Sequence, residues 1–266
     1  QGWKYKPTKR GGGGLVKLLM WQGPTLLNPH FAVGTKDQYG CRVFYEPLAA
    51  WDGDGNLVPI LAAEAPSLQN GAVARDGRSV TWKLKRGVTW HDGKPFTADD
   101  CVFNWEYASD PATAAVTIGS YKDVTVDKID SHTIRVNFKK PTPYWADAFV
   151  GTVGMMIPKH LFEGFKGAKS REAPNNLKPV GTGCYQFVEF RPGDHLAGKG
   201  QQPGDVGVGE REPDSPSDGT WPATRTAGRS TGWSPARSSA RWCWRRARIA
   251  RSATRPSSRI SPAARC

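Results

Sequence analysis

Between Arg75 and Ala108 the chain reads RDGRSVTWKLKRGVTWHDGKPFTADDCVFNWEYA, and this stretch leaves little freedom for what can form there. Ser79 to Leu84 alternates apolar and polar residues as a half-buried strand does, Arg86-Gly87 breaks the alternation, and Val88 to Trp90 opens a second short extended piece. His91-Asp92-Gly93-Lys94-Pro95 carries the Asp-Gly and Pro chemistry of a tight reversal. Thr97-Ala98-Asp99-Asp100 then reads as a helix start. Thr97 is the expected N-cap, because its hydroxyl can take an otherwise unpaired amide. Asp99 and Asp100 fall in the first turn, where the helix dipole favours negative charge. Val102, Phe103 and Tyr107 supply an apolar helical face.

The strand, the phrase GVTWHDGKPFTADDCVF (Gly87 to Phe103) and the helix follow one another as in the family 5 bacterial extracellular solute-binding proteins, which this stretch resembles. Further segments fit in order. Leu26-Leu27-Asn28-Pro29-His30-Phe31 follows a first extended run, and Val43 to Leu48 precedes Asp52-Gly53-Asp54-Gly55. Ser109 to Ala114 comes after the signature helix, and Val180-Gly181-Thr182-Gly183-Cys184-Tyr185-Gln186-Phe187 is similar to the family's return strand. The likeness covers Leu15 to Asp194.

That resemblance implies an α/β fold of the type II periplasmic-binding-protein kind with the extra domain of the peptide-binding group. On that basis 15–44 and 158–194 are parts of one ligand-gripping lobe and 45–157 is the extra domain; the basic, Gly-rich residues 1–14 read by themselves as a flexible leader. It also implies a function: an extracytoplasmic binding subunit for peptides or other small solutes that hands its cargo to the membrane permease subunits of an ABC importer. The expected location is the periplasm or cell surface, and the expected state is a monomer with no cofactor and no nucleic-acid partner. In peptide-binding relatives the segment just after the Asn-Pro-His motif pairs with ligand backbone, which maps here onto Val33, Gly34 and Thr35, with Thr117 near the same cleft. A second lobe follows in relatives and closes on the first, so half of such a clamp is expected to bind weakly.

The rest of the body reads as α/β. Leu15 to Trp21 is expected to be a strand, and Tyr144 to Val150 a short helix. Val124 to Ile129 and Thr133 to Phe138 flank Asp130-Ser131-His132 as a hairpin. Pro158 suits the first position of a helix, and Arg171 to Lys178 is expected to be a polar loop. No run approaches the roughly 20 apolar residues of a membrane span.

From His195 onward the composition changes. That segment holds 13 of the 37 Lys and Arg but only 5 of the 24 Asp and Glu, so it carries +8 of the net +13. It has one Lys against 12 Arg, no Phe, Tyr or Met, and five Leu, Ile or Val. Such a segment cannot bury enough apolar surface to offset about 1–2 kcal/mol of backbone entropy per ordered residue, and 195–266 is expected to be disordered. Its Arg, Ala, Ser, Pro, Trp and Cys content is what out-of-frame reading of GC-rich DNA yields, so a non-functional frameshifted product is one reading. Arg241-Trp242-Cys243-Trp244-Arg245-Arg246 supports another, a tail that binds nucleic acid or anionic membrane by interleaving cations with stacking surfaces.

Patterns for catalysis are weak. No GxSxG, Walker A or GxGxxG occurs, and Gly11 to Gly14 precedes a strand rather than a helix. His30, His91, His132 and His160 could serve acid–base chemistry, but each has a turn or packing role to hand. Of the five cysteines, Cys41, Cys101 and Cys184 lie in the body. No CxxC pair or His/Cys metal spacing occurs, so these are read as small apolar packing residues.

Overall fold

Ser79–Lys83 forms β3 of a three-stranded antiparallel sheet in the computed structural model, which describes residues 15–200. Its neighbours are β5 (Thr133–Phe138) and, on the far side of β5, β4 (Val124–Asp130), giving the order β3-β5-β4. Val80, Val136 and Val126 stand in register across the three strands, and Trp82 lies opposite Ile134. All five are buried, so the two-residue alternation read from the sequence is one face of this sheet. The β4–β5 turn is at Ser131 and His132, as the hairpin pattern requires.

Helix α2 (Ala98–Ser109) covers that face with Cys101, Phe103, Asn104, Tyr107 and Ala108 turned inward. It starts where its sequence says it should. The Thr97 hydroxyl accepts the Asp99 amide at 3.3 Å, and the Asp100 carboxylate returns to accept the Thr97 amide at 2.9 Å, a complete capping box. The other Asp100 oxygen accepts the Lys159 amide at 3.0 Å and so fixes the entry to α4 (Lys159–Phe162), which follows the single-turn helix α3 (Ile118–Tyr121) in chain order. Thr97→Ala is expected to cost about 1 kcal/mol, and Thr97→Ser very little, in paired thermal melts. Equal melting temperatures for wild type and Thr97→Ala would show that the Thr97 hydroxyl does not cap α2.

Two further antiparallel hairpins form separate two-stranded sheets. Strands β1 (Ala49–Trp51) and β2 (Leu57–Pro59) turn about Asp52, whose carboxylate accepts the amides of Asp54 and Asn56 at 3.0 and 2.8 Å. Strands β6 (Tyr185–Arg191) and β7 (His195–Gly200) join at Gly193, which has φ +79°. The boundary drawn at Asp194 is therefore too early, because the fold runs on through Gly200. The leader 1–14 and residues 201–266, on which the disorder, frameshift and Arg/Trp-tail readings rest, lie outside the described residues.

Three local expectations are corrected. Leu15 to Trp21 is not a strand: no strand among the described residues pairs with it, and Leu15, Leu18, Leu19 and Trp21 are exposed. Tyr144 to Val150 is a series of turns ending in a bridge to Ala49, since Phe149 at φ +65° is left-handed and cannot sit in a helix. Pro158 is the N-cap of α4, with ψ 124°, rather than its first residue.

One core unites these pieces. Leu27, Phe31, Cys41 and Phe44 pack in the same cluster as Trp82, Tyr107 and Phe162, so the apolar contacts cross the boundary expected at residue 45. Cys41 and Cys101 are free and fully buried in it, whereas Cys184 is half-buried and disulfide-bonded. No helix among the described residues is long and apolar enough to cross a membrane.

Candidate ligand-binding segment

Asn28-Pro29-His30-Phe31 forms a single buried 3-10 turn, capped by the Asn28 side chain, which accepts the His30 amide at 3.0 Å. Proline suits the first position of such a turn because its missing N–H has no partner there. Asn28 Nδ2 donates to Asn176 Oδ1 at 2.8 Å, and the Leu27 amide donates to the Asn176 carbonyl at 2.8 Å. The segment expected to be a polar loop, Arg171 to Lys178, is thus two 3-10 turns organised around a buried amide side chain, Asn176.

His30 is fully buried and held at both ring nitrogens. Asn104 Nδ2 donates to the carbonyls of Asp100 and Ile157, both at 2.7 Å, and its Oδ1 accepts the Ile157 amide at 2.9 Å. That orientation leaves Oδ1 as the acceptor for His30 Nε2–H at 2.9 Å, so Nδ1 accepts from the Thr117 hydroxyl at 2.8 Å. Burial lowers the His30 pKa to about 4, against a smaller upward pull from Asn104. Thr117, His30 and Asn104 have the hydroxyl–imidazole–amide order of a nucleophile, base and orienting group. The hydroxyl is sealed from solvent and already committed to the ring, so what the arrangement supplies here is a strut. The Val116 amide adds a bond to the His30 carbonyl at 2.8 Å.

The chain emerges from this frame at Val33. Val33 is exposed and extended (φ −96°, ψ 119°), whereas Gly34 (φ +77°) and Thr35 already belong to the first turn of α1 (Gly34–Arg42). Of the three residues mapped onto the ligand-pairing segment, only Val33 is extended. Valine cannot cap a helix with its side chain, and the amides of Val33, Gly34 and Thr35 have no acceptor among the described residues. Behind them α1 is anchored by Asp37, which accepts the Thr25 amide and the Lys36 ammonium, both at 2.7 Å. Burial alone would raise the Asp37 pKa, but those partners outweigh it and hold the carboxyl below its ordinary value. Thr117 is brought against the same motif, through His30, with its hydroxyl facing inward.

The signature turn has a different task. His91 Nε2 donates to the Gly183 carbonyl at 2.8 Å, Nδ1 accepts the Gly181 amide at 3.1 Å, and the His91 amide donates to the Gly181 carbonyl at 2.8 Å. Burial lowers the pKa of this ring too, and the turn is thereby sewn to the Gly-Thr-Gly segment. His160 pairs with Asp92 at 2.6 Å on the surface, and His132 sits at the β4–β5 tip. Among the described residues no group of three His, Cys, Asp or Glu could hold a metal ion.

The residues that sequence reasoning passed over are Asn104, Asn176 and Arg171. Asn104 had a visible signal: helical spacing puts it on the same face as Cys101, Tyr107 and Ala108, and an amide on an apolar face needs a partner. Arg171 lies with its guanidinium 3.8 Å from the centre of the Phe31 ring.

The family model for bacterial extracellular solute-binding proteins, family 5, matches residues 56–199. The periplasmic oligopeptide-binding protein OppA of Escherichia coli K12 is 30% identical, over 62% of this chain and 32% of that one. Among solved structures, the ABC transporter substrate-binding protein CtaP of Listeria monocytogenes superimposes with a TM-score of 0.57 at 31% identity, covering 67% of this chain and 35% of its own. NikZ from Campylobacter jejuni, solved with Ni(L-His), gives 0.55 at 26% identity, covering 70% and 34%. The chain thus spans about a third of the length of these relatives and shares the α/β fold of the peptide-binding group of periplasmic binding proteins. With its signature turn and return strand both inside the matched region, the chain belongs to the family 5 bacterial extracellular solute-binding proteins.

Proposed function

We propose that this chain is the first ligand-gripping part of an extracytoplasmic solute-binding subunit of an ABC importer, that its solute is a short peptide, and that Val33, Gly34 and Thr35 take the peptide main chain. The carrying observation is the set of three amides at the start of α1, on exposed residues and without an acceptor among the described residues, standing on a motif immobilised by His30, Asn28 and their buried partners. Extended peptides satisfy such donors with their carbonyls, which reads length and extension while leaving side chains free. OppA, named for oligopeptides, supports this choice of solute, and NikZ with its nickel–histidine complex represents the competing one. Thr117 acts in this reading through His30, by holding the turn beneath the segment. The protein works as a monomer in the periplasm or at the cell surface, delivers to permease subunits, and returns its ligand unchanged.

Amide NMR of the full chain titrated with Ala-Ala-Ala tests this. The largest shifts are expected at Val33, Gly34 and Thr35, with the peptide intact by mass spectrometry afterwards. Thr35→Pro deletes one donor at a first-turn position where proline is tolerated, and it should weaken binding about five-fold, the worth of one hydrogen bond of roughly 1 kcal/mol. Shifts confined to other residues, or a hydrolysed peptide, would refute the reading.

A further inference from the structure

Arg171 is held at both its side chain and its backbone, yet no carboxylate among the described residues answers its charge. Lys36, Lys128, Lys139 and Lys166 each reach a carboxylate within 3 Å, whereas no acid among the described residues reaches Arg171. Its guanidinium carbon lies over the Phe31 ring, 3.8 Å from the ring centre, a cation–π contact that uses none of its N–H donors. Its backbone is not that of a free loop. Asn176 Nδ2 donates to the carbonyls of Ser170 and Arg171 at 2.9 and 3.2 Å, and the Ser170 hydroxyl donates to the Thr113 carbonyl at 3.1 Å. Asn176 is in turn the partner of Asn28, so the same buried amide pair that fixes the Asn-Pro-His turn also fixes Arg171. Phe31, beneath the guanidinium, is two residues before Val33.

We propose that Arg171 is a specificity-determining residue that receives a carboxylate of the bound peptide, its planar fork presenting two parallel donors to the two oxygens. This rests on the peptide reading of Val33 to Thr35 and adds the charge of the ligand to it. Two sources of that carboxylate, the peptide's C-terminus and an acidic side chain, share the chemistry and are separated by the choice of ligand.

The experiment is a titration of the full chain, wild type and Arg171→Gln, with Ala-Ala-Ala, Ala-Ala-Ala-amide and Ala-Glu-Ala-amide. It is read at the Val33–Thr35 amides and at the Arg171 Nε–H resonance. Wild type is expected to bind at least one of the two carboxylate-bearing peptides about ten-fold more tightly than the plain amide, with a shift of the Arg171 resonance. Preference for Ala-Ala-Ala identifies the C-terminus as the source, and preference for Ala-Glu-Ala-amide a side chain. Arg171→Gln should bind all three with the affinity of the amide. Equal affinities in wild type, or discrimination that survives Arg171→Gln, would overturn the assignment while leaving peptide binding intact. Should no peptide move the Val33–Thr35 amides, the peptide reading fails, and N-acetylglycine then decides the carboxylate site alone. A saturable shift at Arg171 would uphold the site, and its absence would overturn it.

Discussion

Gly181→Ala is expected to abolish the native fold. A Cβ at that position would lie 1.9 Å from the Phe44 carbonyl oxygen and 2.5 Å from its carbon. Neither side can retreat cheaply. The same oxygen accepts the Gly183 amide at 2.8 Å, Phe44 and Tyr45 are completely buried, and Gly181 is bonded to His91 through both its amide and its carbonyl. Separating the two backbones would break those bonds and open the core beside Phe44. The expected cost exceeds roughly 4 kcal/mol, a large share of the 5–15 kcal/mol that stabilises a domain. Gly34→Ala is the control: its φ of +77° strains alanine by about 1 kcal/mol, but no atom within 4 Å would meet the new methyl. The check is soluble yield and near-UV circular dichroism of the two variants side by side. A soluble, cooperatively melting Gly181→Ala protein within about 1 kcal/mol of wild type would contradict the close packing described here.

The contrast between these two glycines shows which parts of the fold could be read from the chain. Elements whose cause is local were legible: the Thr97 cap with its reciprocal Asp100, the Asp52 turn, and the β4–β5 hairpin all draw their bonds from residues a few positions away. Gly181 and Gly183 are visible in the sequence as a motif, but the reason for glycine is a backbone more than a hundred residues earlier, at Phe44. The errors have the same origin. Leu15 to Trp21 has the composition of a strand, yet a strand exists only through its partner. Tyr144 to Val150 has no local helix stop as clear as the left-handed Phe149 that the tertiary structure imposes. In the candidate site, the proposal for Val33 to Thr35 starts from the Asn-Pro-His motif that precedes them, which is local in sequence. The rigidity of that motif is not, because it depends on Asn104 and Asn176, which reach the motif across long sequence separations.

That rigidity has a pH limit, set by His30. In the unfolded chain its imidazole takes up a proton near pH 6.5, whereas in the folded protein it does so only near pH 4. Between those values the unfolded state binds the proton and the native state does not, so stability falls as pH falls, by about 3 kcal/mol over the whole interval. Geometry gives the reason: Nε2 already donates to Asn104, and a proton on Nδ1 would confront the Thr117 hydroxyl that now donates to it. The groups packed around the ring, Tyr107 and Tyr121, are pushed to higher pKa by burial and stay neutral throughout this range. His91, lowered by burial, acts in the same direction. Asp100, raised by burial, acts in the opposite one, since its folded state takes up a proton more readily, and it offsets part of the loss at the acid end. The raised pKa of the exposed His195 likewise favours the folded form as pH falls. Urea denaturation at pH 7, 6, 5 and 4.5 should therefore show a declining midpoint, and His30→Gln, less stable at pH 7, should show a flatter profile. A midpoint constant from pH 7 to 5 in the wild type would mean that His30 does not carry the proton linkage assigned to it. Hydrogen exchange gives the local view of the same event. The Val116 amide, bonded to the His30 carbonyl, is expected to lose protection in acid along with the turn that supports Val33, Gly34 and Thr35.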